Sequence, residues 1–285
     1  MKPFLKREES LKEVLIIGGD SKIGTHLRLY FTRLGYSVTS TTRRKLDSRS
    51  SLSNYHLDLS SDMVKLPPHD FATAIICAGI TEISHCEKYP DASKKINVQN
   101  TVKVIESLVK RNTHVIFLSS NSVFDGSKQF YKYNDEPSPK SKYGSYKLLV
   151  ESYSKDLNFS ILRLTKVLSY NSSFIEKWEK SLHLREKIIA YTNHFISPVK
   201  IETVAEVISQ IMDAGIYESI GIPPRAGRQQ RIFQLGADYE ISYFDFALKH
   251  FEKNISALSL ITGKSDGKIF HNNYNSLTTH LPTIK

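Results

Sequence analysis

Val14-Leu15-Ile16-Ile17-Gly18-Gly19-Asp20-Ser21-Lys22-Ile23-Gly24 joins a continuous apolar run to a glycine-punctuated turn. After it Ile23, Leu27, Tyr30, Phe31 and Leu34 recur at helical spacing, and Gly35 closes the pattern. The stretch therefore reads as strand, glycine turn, helix. Such a junction leaves backbone N–H groups free at a helix N-terminus, where they point at an anion, and so it suits a pyrophosphate. Gly18, Ser21, Lys22, Ile23 and Gly24 are its candidate nucleotide-binding residues. A bare glycine motif is weak evidence, and its weight comes from the order of the strands and helices downstream.

The next strand runs from Tyr36 to Thr41 and ends at Thr42-Arg43-Arg44. An acidic residue there would accept hydrogen bonds from a ribose 2′-hydroxyl, whereas an arginine suits a 2′-phosphate, so Arg43 and Arg44 point to NADP rather than NAD. The plainer alternative is a pair of solvated loop arginines. Asn54 to Leu59 reads as a third strand and Phe71 to Cys77 as a fourth, followed by a long helix from near Pro90 to about Arg111 with Val98, Val102, Ile105 and Val109 on one face. Val115 to Leu118 and Phe159 to Leu164 supply a fifth and a sixth strand. This alternation predicts an α/β fold, a Rossmann-type doubly wound parallel sheet. The carboxyl ends of strands one, four and five then line one crevice, and Gly18 to Gly24, Ala78-Gly79 and Ser119-Ser120 fall at those ends.

Past the fifth strand the chain breaks into Ser119-Ser120-Asn121-Ser122 and later reaches Tyr143-Gly144-Ser145-Tyr146-Lys147. Four residues apart on a helix, Tyr143 and Lys147 share a face, which predicts an ammonium beneath the phenol, favouring its ionised form. An unperturbed phenol near pKa ~10 is about three units too basic to exchange a proton readily at neutral pH, a gap of roughly 4 kcal/mol that a nearby positive charge would partly close. In a chain with 15 tyrosines the spacing also arises by chance, and its plain reading is an amphipathic helix with a solvated lysine. The hydroxyl cluster at a strand end, just upstream, lifts the functional reading.

With 285 residues, 40% of them hydrophobic, the chain can bury a full core. Its opening carries Lys2, Lys6, Arg7, Glu8, Glu9, Lys12 and Glu13, which is neither a secretory signal nor a membrane span, and no later run approaches membrane-spanning length. Cys77 and Cys86 form no CxxC, and neither a disulfide framework nor a metal site can be read among the ten histidines. A soluble, reducing, cytoplasmic setting is the expectation. The net charge of +10 suits an anionic partner, yet the basic residues are dispersed and no nucleic-acid-binding signature is present. The densest arginine group, Arg225, Arg228 and Arg231, reads either as a grip on a substrate phosphate or as a solvated loop.

Several local patterns resemble the extended short-chain dehydrogenase/reductases, and within them the dTDP-4-dehydrorhamnose reductases and related nucleotide-sugar reductases. They are Cys77-Ala78-Gly79-Ile80-Thr81, His85-Cys86-Glu87, Ile96-Asn97-Val98, Ser119 to Gly126, Glu136-Pro137 and Tyr143-Gly144 with Lys147. Ser197-Pro198 and Phe233-Gln234-Leu235-Gly236 extend the likeness more thinly to about residue 250. The resemblance implies that Tyr143 is the proton donor, that Lys147 tunes it and holds the nicotinamide ribose, and that Ser120 orients the substrate carbonyl. It also implies adenine contacts at Asp58 and Leu59, cofactor contacts at Ala78 and Gly79, and sugar contacts at Thr81, Val123 and Phe124. Asp58 reads equally as a turn cap, and Phe124 equally as core. The sequence departs from the family's pattern at Ser21, where a glycine is usual, and at Asn121-Ser122, where these reductases carry Asp-Tyr and the superfamily's dehydratases Asp-Glu. Asn and Ser cannot supply a dehydratase's acid and base, so the expectation is reduction rather than dehydration. The expected partner is a nucleotide-linked sugar, with neither nucleic acid nor membrane, and a homodimer stays open. The rival readings are a catalytically silent NADP-binding regulatory subunit and a nucleotide-sugar epimerase on the same scaffold.

Residues 13–165 thus read as the NADP-binding domain and 166–285 as a smaller C-terminal α/β substrate lobe, partly interwoven with it. In the lobe Phe174, Ile175, Trp178 and Leu182 mark one helix, Ile201 to Met212 another and Tyr243 to Phe251 a third, with Trp178 read as core. The polar stretch from Asn254 to Lys285 suggests no firm structure.

Overall fold

The continuous burial of the central strands explains the architecture, because successive side chains of a strand face opposite ways and both faces here are covered. The computed structural model describes residues 13–45, 53–155, 157, 159–169, 172–219 (215–219 as backbone), 231–265, 267 and 274–282. The residues before 13, together with Arg225 and Arg228, lie outside the described residues. The first half comprises β1 (Glu13–Ile17), α1 (Lys22–Arg33), β2 (Ser37–Thr42), β3 (Asn54–His56), β4 (Thr73–Ile76), α2 (Ile83–Lys88), α3 (Pro90–Lys94), α4 (Thr101–Lys110), β5 (His114–Ser120), α5 (Lys142–Ser152) and β6 (Phe159–Leu164). The second comprises β7 (Lys166–Leu168), α6 (Ser173–His183), β8 (Ile188–Tyr191), β9 (Phe195–Ile196), β10 (Pro198–Lys200), α7 (Ile201–Ser219), β11 (Ile232–Leu235), β12 (Ile241–Ser242), α8 (Tyr243–His250), α9 (Ile255–Leu258) and β13 (Ile261–Lys264).

Seven strands form one parallel sheet in the order β3-β2-β1-β4-β5-β6-β11. The strand order reverses between β1 and β4, and that switch point opens the crevice. On one face Leu15, Ile17, Ile76, Val115 and Phe117 pack against Val102, Ile105 and Leu108 of α4 and Tyr146 and Val150 of α5. On the other, Val14, Ile16, Ile75, Ile116 and Leu162 pack against Leu27 and Phe31 of α1 and Val204, Ile208 and Met212 of α7. Two elements past residue 165 therefore serve the main sheet: β11 extends it beside β6, and α7 covers its second face. A smaller core gathers Trp178, Ile188, Ala190, Ala247 and Phe251 beside three two-stranded pairings, β7–β10, β9–β12 and β8–β13.

Local chemistry adjusts the expected boundaries. The long helix from Pro90 is interrupted by a π-helical turn, Lys95–Asn100, between α3 and α4. From that turn Asn97 accepts from Ile80 N at 2.7 Å and donates to Ile80 O at 2.8 Å, while Asn100 donates to Leu59 O and Ser61 O, both at 2.8 Å. The third strand stops at His56 rather than Leu59, because Asp58 turns back to accept from Ser60 N at 2.8 Å and Asn100 takes the carbonyl of Leu59. The polar stretch past Asn254 holds α9, β13 and an ordered segment, 274–282. Among the described residues no helix is long and apolar enough to cross a membrane.

Candidate active site

Two cavities open along the carboxyl edge of the sheet. The first, about 430 Å³, is lined by Gly18, Ser21, Arg43, Arg44, Asp58, Leu59, Ala78 and Gly79, all expected there, and by Asp20, which was not among the expected residues. Lys22, Ile23 and Gly24 of the same turn do not line it. Lys22 reaches Glu176 at 3.9 Å, Ile23 packs into the second-face core, and Gly24 sits where an added Cβ would run into the Gly18 carbonyl. Gly24 thus serves the cradle by letting helix and strand meet closely. Ser21 in place of the usual glycine is the N-cap of α1, its hydroxyl accepting from Gly24 N at 3.0 Å. Thr42 donates to the Asp20 carboxylate, and Arg44 Nε lies 3.8 Å from it. The backbone and side-chain hydrogen bonds from Ser60 hold the Asp58 carboxyl below the usual carboxylate range, with a smaller contribution from Arg43.

The second cavity, about 660 Å³, lies between the sheet edge and the small lobe. Thr81, Ser120 and Tyr143 line it as expected, next to the first cavity: Ile80 lines one and Thr81 the other. Asn121, Lys166, Trp178 and Asn275 also line it. Trp178 is 7% exposed, so it is at once core and cavity wall. Val123 and Phe124, expected to touch a sugar, are not in this wall; they are buried with Tyr131 and Leu277. Phe124 stacks on Tyr131 at 4.4 Å between centroids, and the Arg163 guanidinium lies 5.0 Å from its ring. They are core beneath the site.

Ser120 ends β5 and accepts from Ser122 N at 3.1 Å, while its hydroxyl lies 3.1 Å from Ser122 Oγ and 3.3 Å from Asn121 Oδ1. Tyr143 is carried in the first turn of α5, which is capped by Ser141 accepting from Gly144 N at 3.1 Å and tied down by Lys142 N donating to Glu87 Oε1 at 2.7 Å. An added Cβ at Gly144 would run into the Ser122 carbonyl oxygen, so only glycine lets α5 approach the Ser120 loop this closely. One turn on, Lys147 is buried and its ammonium donates to Leu118 O at 2.6 Å, 5.8 Å from the Tyr143 ring centroid.

These positions correct the expected electrostatics. Burial pushes the Tyr143 phenol up to about 12, with a hydrogen bond to Ser120 opposing the rise. Burial likewise brings Lys147 down to about 8, with Glu151 opposing. The ammonium is spent on the Leu118 carbonyl, and the phenol stays neutral at pH 7, which is the form that can give up a proton. Cys77, at the edge of the first cavity, is pushed up to about 12 by burial and is no nucleophile at neutral pH.

Beneath the serines lies an ion pair for which the sequence carries no local signal. Glu151 and Arg163, 4% and 2% exposed, meet at 2.7 Å; Ser119 Oγ donates to Glu151 Oε1 at 2.5 Å and Arg163 Nη1 to Gln234 Oε1 at 3.2 Å. The pair joins β5, α5, β6 and β11. Segment 274–282 closes the other side: Asn275 donates to Phe195 O at 2.7 Å and accepts from Asn121 Nδ2 at 2.7 Å, while Glu240 Oε1 accepts from the backbone amides of Asn275 and Ser276 at 2.5 Å. A polar run without periodicity carries no signal for such a role. Among the described residues no group of three or more His, Cys, Asp or Glu could hold a metal ion.

The family described as the RmlD substrate binding domain matches residues 12–265. The chain is 28% identical over 160 residues to the probable low-salt glycan biosynthesis reductase Agl14 of Haloferax volcanii, covering 53% of this chain and 53% of that protein. It is also 28% identical over 172 residues to methionine adenosyltransferase 2 subunit beta of Rattus norvegicus, covering 60% of this chain and 50% of that protein. The matches span about half the length of these curated relatives. Among solved structures, dTDP-4-dehydrorhamnose reductase from Bacillus anthracis in complex with NADP superposes with a TM-score of 0.74 at 18% identity, covering 93% of this chain and 89% of that one.

Proposed function

Since the chain belongs to the RmlD substrate binding domain family, whose match spans residues 12–265, we propose that it is an NADP-dependent reductase of a keto group on a nucleotide-linked sugar. The observation that carries the reading is the placement of Ser120 and Tyr143 in the wall of the larger cavity, with Lys147 one helical turn on. A neutral phenol facing the cavity is a general acid in its proton-donating form. Ser120, at a strand end with its hydroxyl held between Ser122 and Tyr143, would orient the carbonyl oxygen. NADPH would supply the hydride when bound. The lining of the first cavity supports this reading: Gly18, Ala78 and Gly79 would border the pyrophosphate, Asp58 and Leu59 would meet the adenosine, and Arg43 and Arg44 would take up a 2′-phosphate. The likeness to an NADP-bound reductase and to a glycan biosynthesis reductase supports the same assignment.

A second reading comes from the likeness to methionine adenosyltransferase 2 subunit beta: a nucleotide-binding subunit without chemistry of its own. The assembled Ser120, Tyr143 and Lys147 favour the enzyme, since a pure binder has no need of a buried phenol beside a strand-end hydroxyl. A panel of nucleotide-linked 4-keto-sugars, followed by consumption of NADPH, tests the proposal. Turnover of at least one member is expected; tight NADPH binding with no turnover across the panel would favour the subunit.

A further inference from the structure

Several cationic side chains at or near the two cavities are matched by this chain's own oxygens, and Arg43 lies on the first cavity near Asp58. Arg44 faces Asp20, Lys22 faces Glu176, and Lys147 donates to the Leu118 carbonyl. Lys166 differs. It lines the larger cavity from β7, and no carboxylate of the described residues pairs with it. Its ammonium lies instead over two aromatic faces of the same wall, 5.1 Å from the Phe174 centroid and 5.9 Å from the Tyr243 centroid. No described aspartate or glutamate lines the cavity, so Lys166 sets the sign of its potential.

The fold also fixes where that charge stands. Leu164 is the register partner of Ser120 on the neighbouring strand, roughly 5 Å away, and Lys166 comes two residues later, so the Cα atoms of Ser120 and Lys166 are within about 12 Å. The lysine's backbone is anchored because Lys166 pairs with Pro198 in the β7–β10 ladder. An ammonium held over aromatic rings retains its charge and its hydrogen-bond donors while being partly stripped of water, a state that favours an incoming oxyanion.

We infer that Lys166 is the anion-recognition residue of the substrate cavity, binding a phosphate or carboxylate oxygen of the nucleotide-linked sugar within the cavity whose wall it shares with Ser120. The inference rests on the proposed nucleotide-sugar function. Two parts of such a ligand carry that chemistry, the diphosphate bridge and an acidic group on the sugar.

The test uses the full chain with saturating NADP and measures Kd by calorimetry for dTDP, UDP, UDP-glucose and UDP-glucuronate, in the parent and in Lys166→Met and Lys166→Arg. Methionine preserves the stem over the rings, so the melting temperature and NADPH affinity should stay at parental values. Loss of a charge-assisted hydrogen bond should weaken binding by about 10- to 100-fold, and arginine should restore most of it. An equal loss for all ligands the parent binds assigns the diphosphate; a loss confined to UDP-glucuronate assigns a sugar carboxylate. Parental affinity of the methionine variant for every ligand would overturn the role of Lys166 alone. A parent that binds NADPH but none of the four ligands would overturn both this inference and the nucleotide-sugar reading.

Discussion

Tyr143 and Lys147 leave their ordinary values in opposite directions, to about 12 and to about 8, and burial is the first cause of both. A phenol serving as an acid stays protonated through the neutral range, so the first group to titrate as pH rises is the lysine. Turnover should therefore fall with a midpoint near pH 8, and Lys147→Arg should move that fall upward; a pH–rate profile checks this. For stability the signs differ. Between about 8 and 10.5 the unfolded chain holds a proton on Lys147 that the folded chain has released, so the lysine's burden on the fold lifts as pH rises through that window. Between 10 and about 12 the folded Tyr143 keeps a proton that the unfolded chain has lost, so stability then declines with pH. Tyr143→Phe should leave NADPH affinity nearly unchanged and reduce single-turnover hydride transfer by ~10²- to 10⁴-fold. The grouping of Ser120, Tyr143 and Lys147 was legible in their order along the chain, and the roles proposed for them come from the family resemblance. The placement of Val123 and Phe124 could not, because an aromatic next to a site looks the same in sequence whether it faces a cavity or a core. Here Tyr131 and Arg163 decide the matter from elsewhere in the chain.

At the scale of elements, the approach of α5 to the Ser120 loop depends on a missing side chain. Gly144→Ala would push the helix away from the Ser122 carbonyl and carry Tyr143 with it. A displacement of about 1 Å can cost 10²-fold in rate, so the variant should lose turnover on that order while binding NADPH almost normally, because the nucleotide cavity lies elsewhere. The start of α1 makes the complementary case. Ser21→Ala should cost ~1 kcal/mol in urea unfolding through loss of its cap to Gly24 N, whereas Ser21→Gly should cost only a few tenths. Strand, turn and helix were legible here because apolar period and glycine spacing are local signals. The π-helical turn was not, since Asn97 and Asn100 are drawn inward by carbonyls 17 and 41 residues away. Asp58 illustrates a middle case: one oxygen accepts from Ser60, as the turn-cap reading has it, while the residue also lines the cavity where an adenine contact would be made.

Across the molecule, β5, α5, β6 and β11 meet at the buried Glu151–Arg163 pair. Arg163→Met should destabilise the fold by about 3–5 kcal/mol, mostly because a buried carboxylate loses its partner, and adding Glu151→Leu should recover much of the loss; urea titration of the single and double variants decides. The contribution of residues past 165 to the main sheet was hard to read. β11 is a run of four residues whose partner β6 lies about 70 positions earlier, and segment 274–282 is held by backbone and amide bonds that leave no hydrophobic period. The two cavities also draw on the chain very differently. Among the described residues, those lining the smaller cavity all fall between Gly18 and Ile96, whereas the larger cavity gathers its wall from Thr81 through to Asn275. On the ribosome, then, the residues that would meet a nucleotide are all made once Ile96 has been joined to the chain, while those that would meet a sugar are not together until Asn275 has been added.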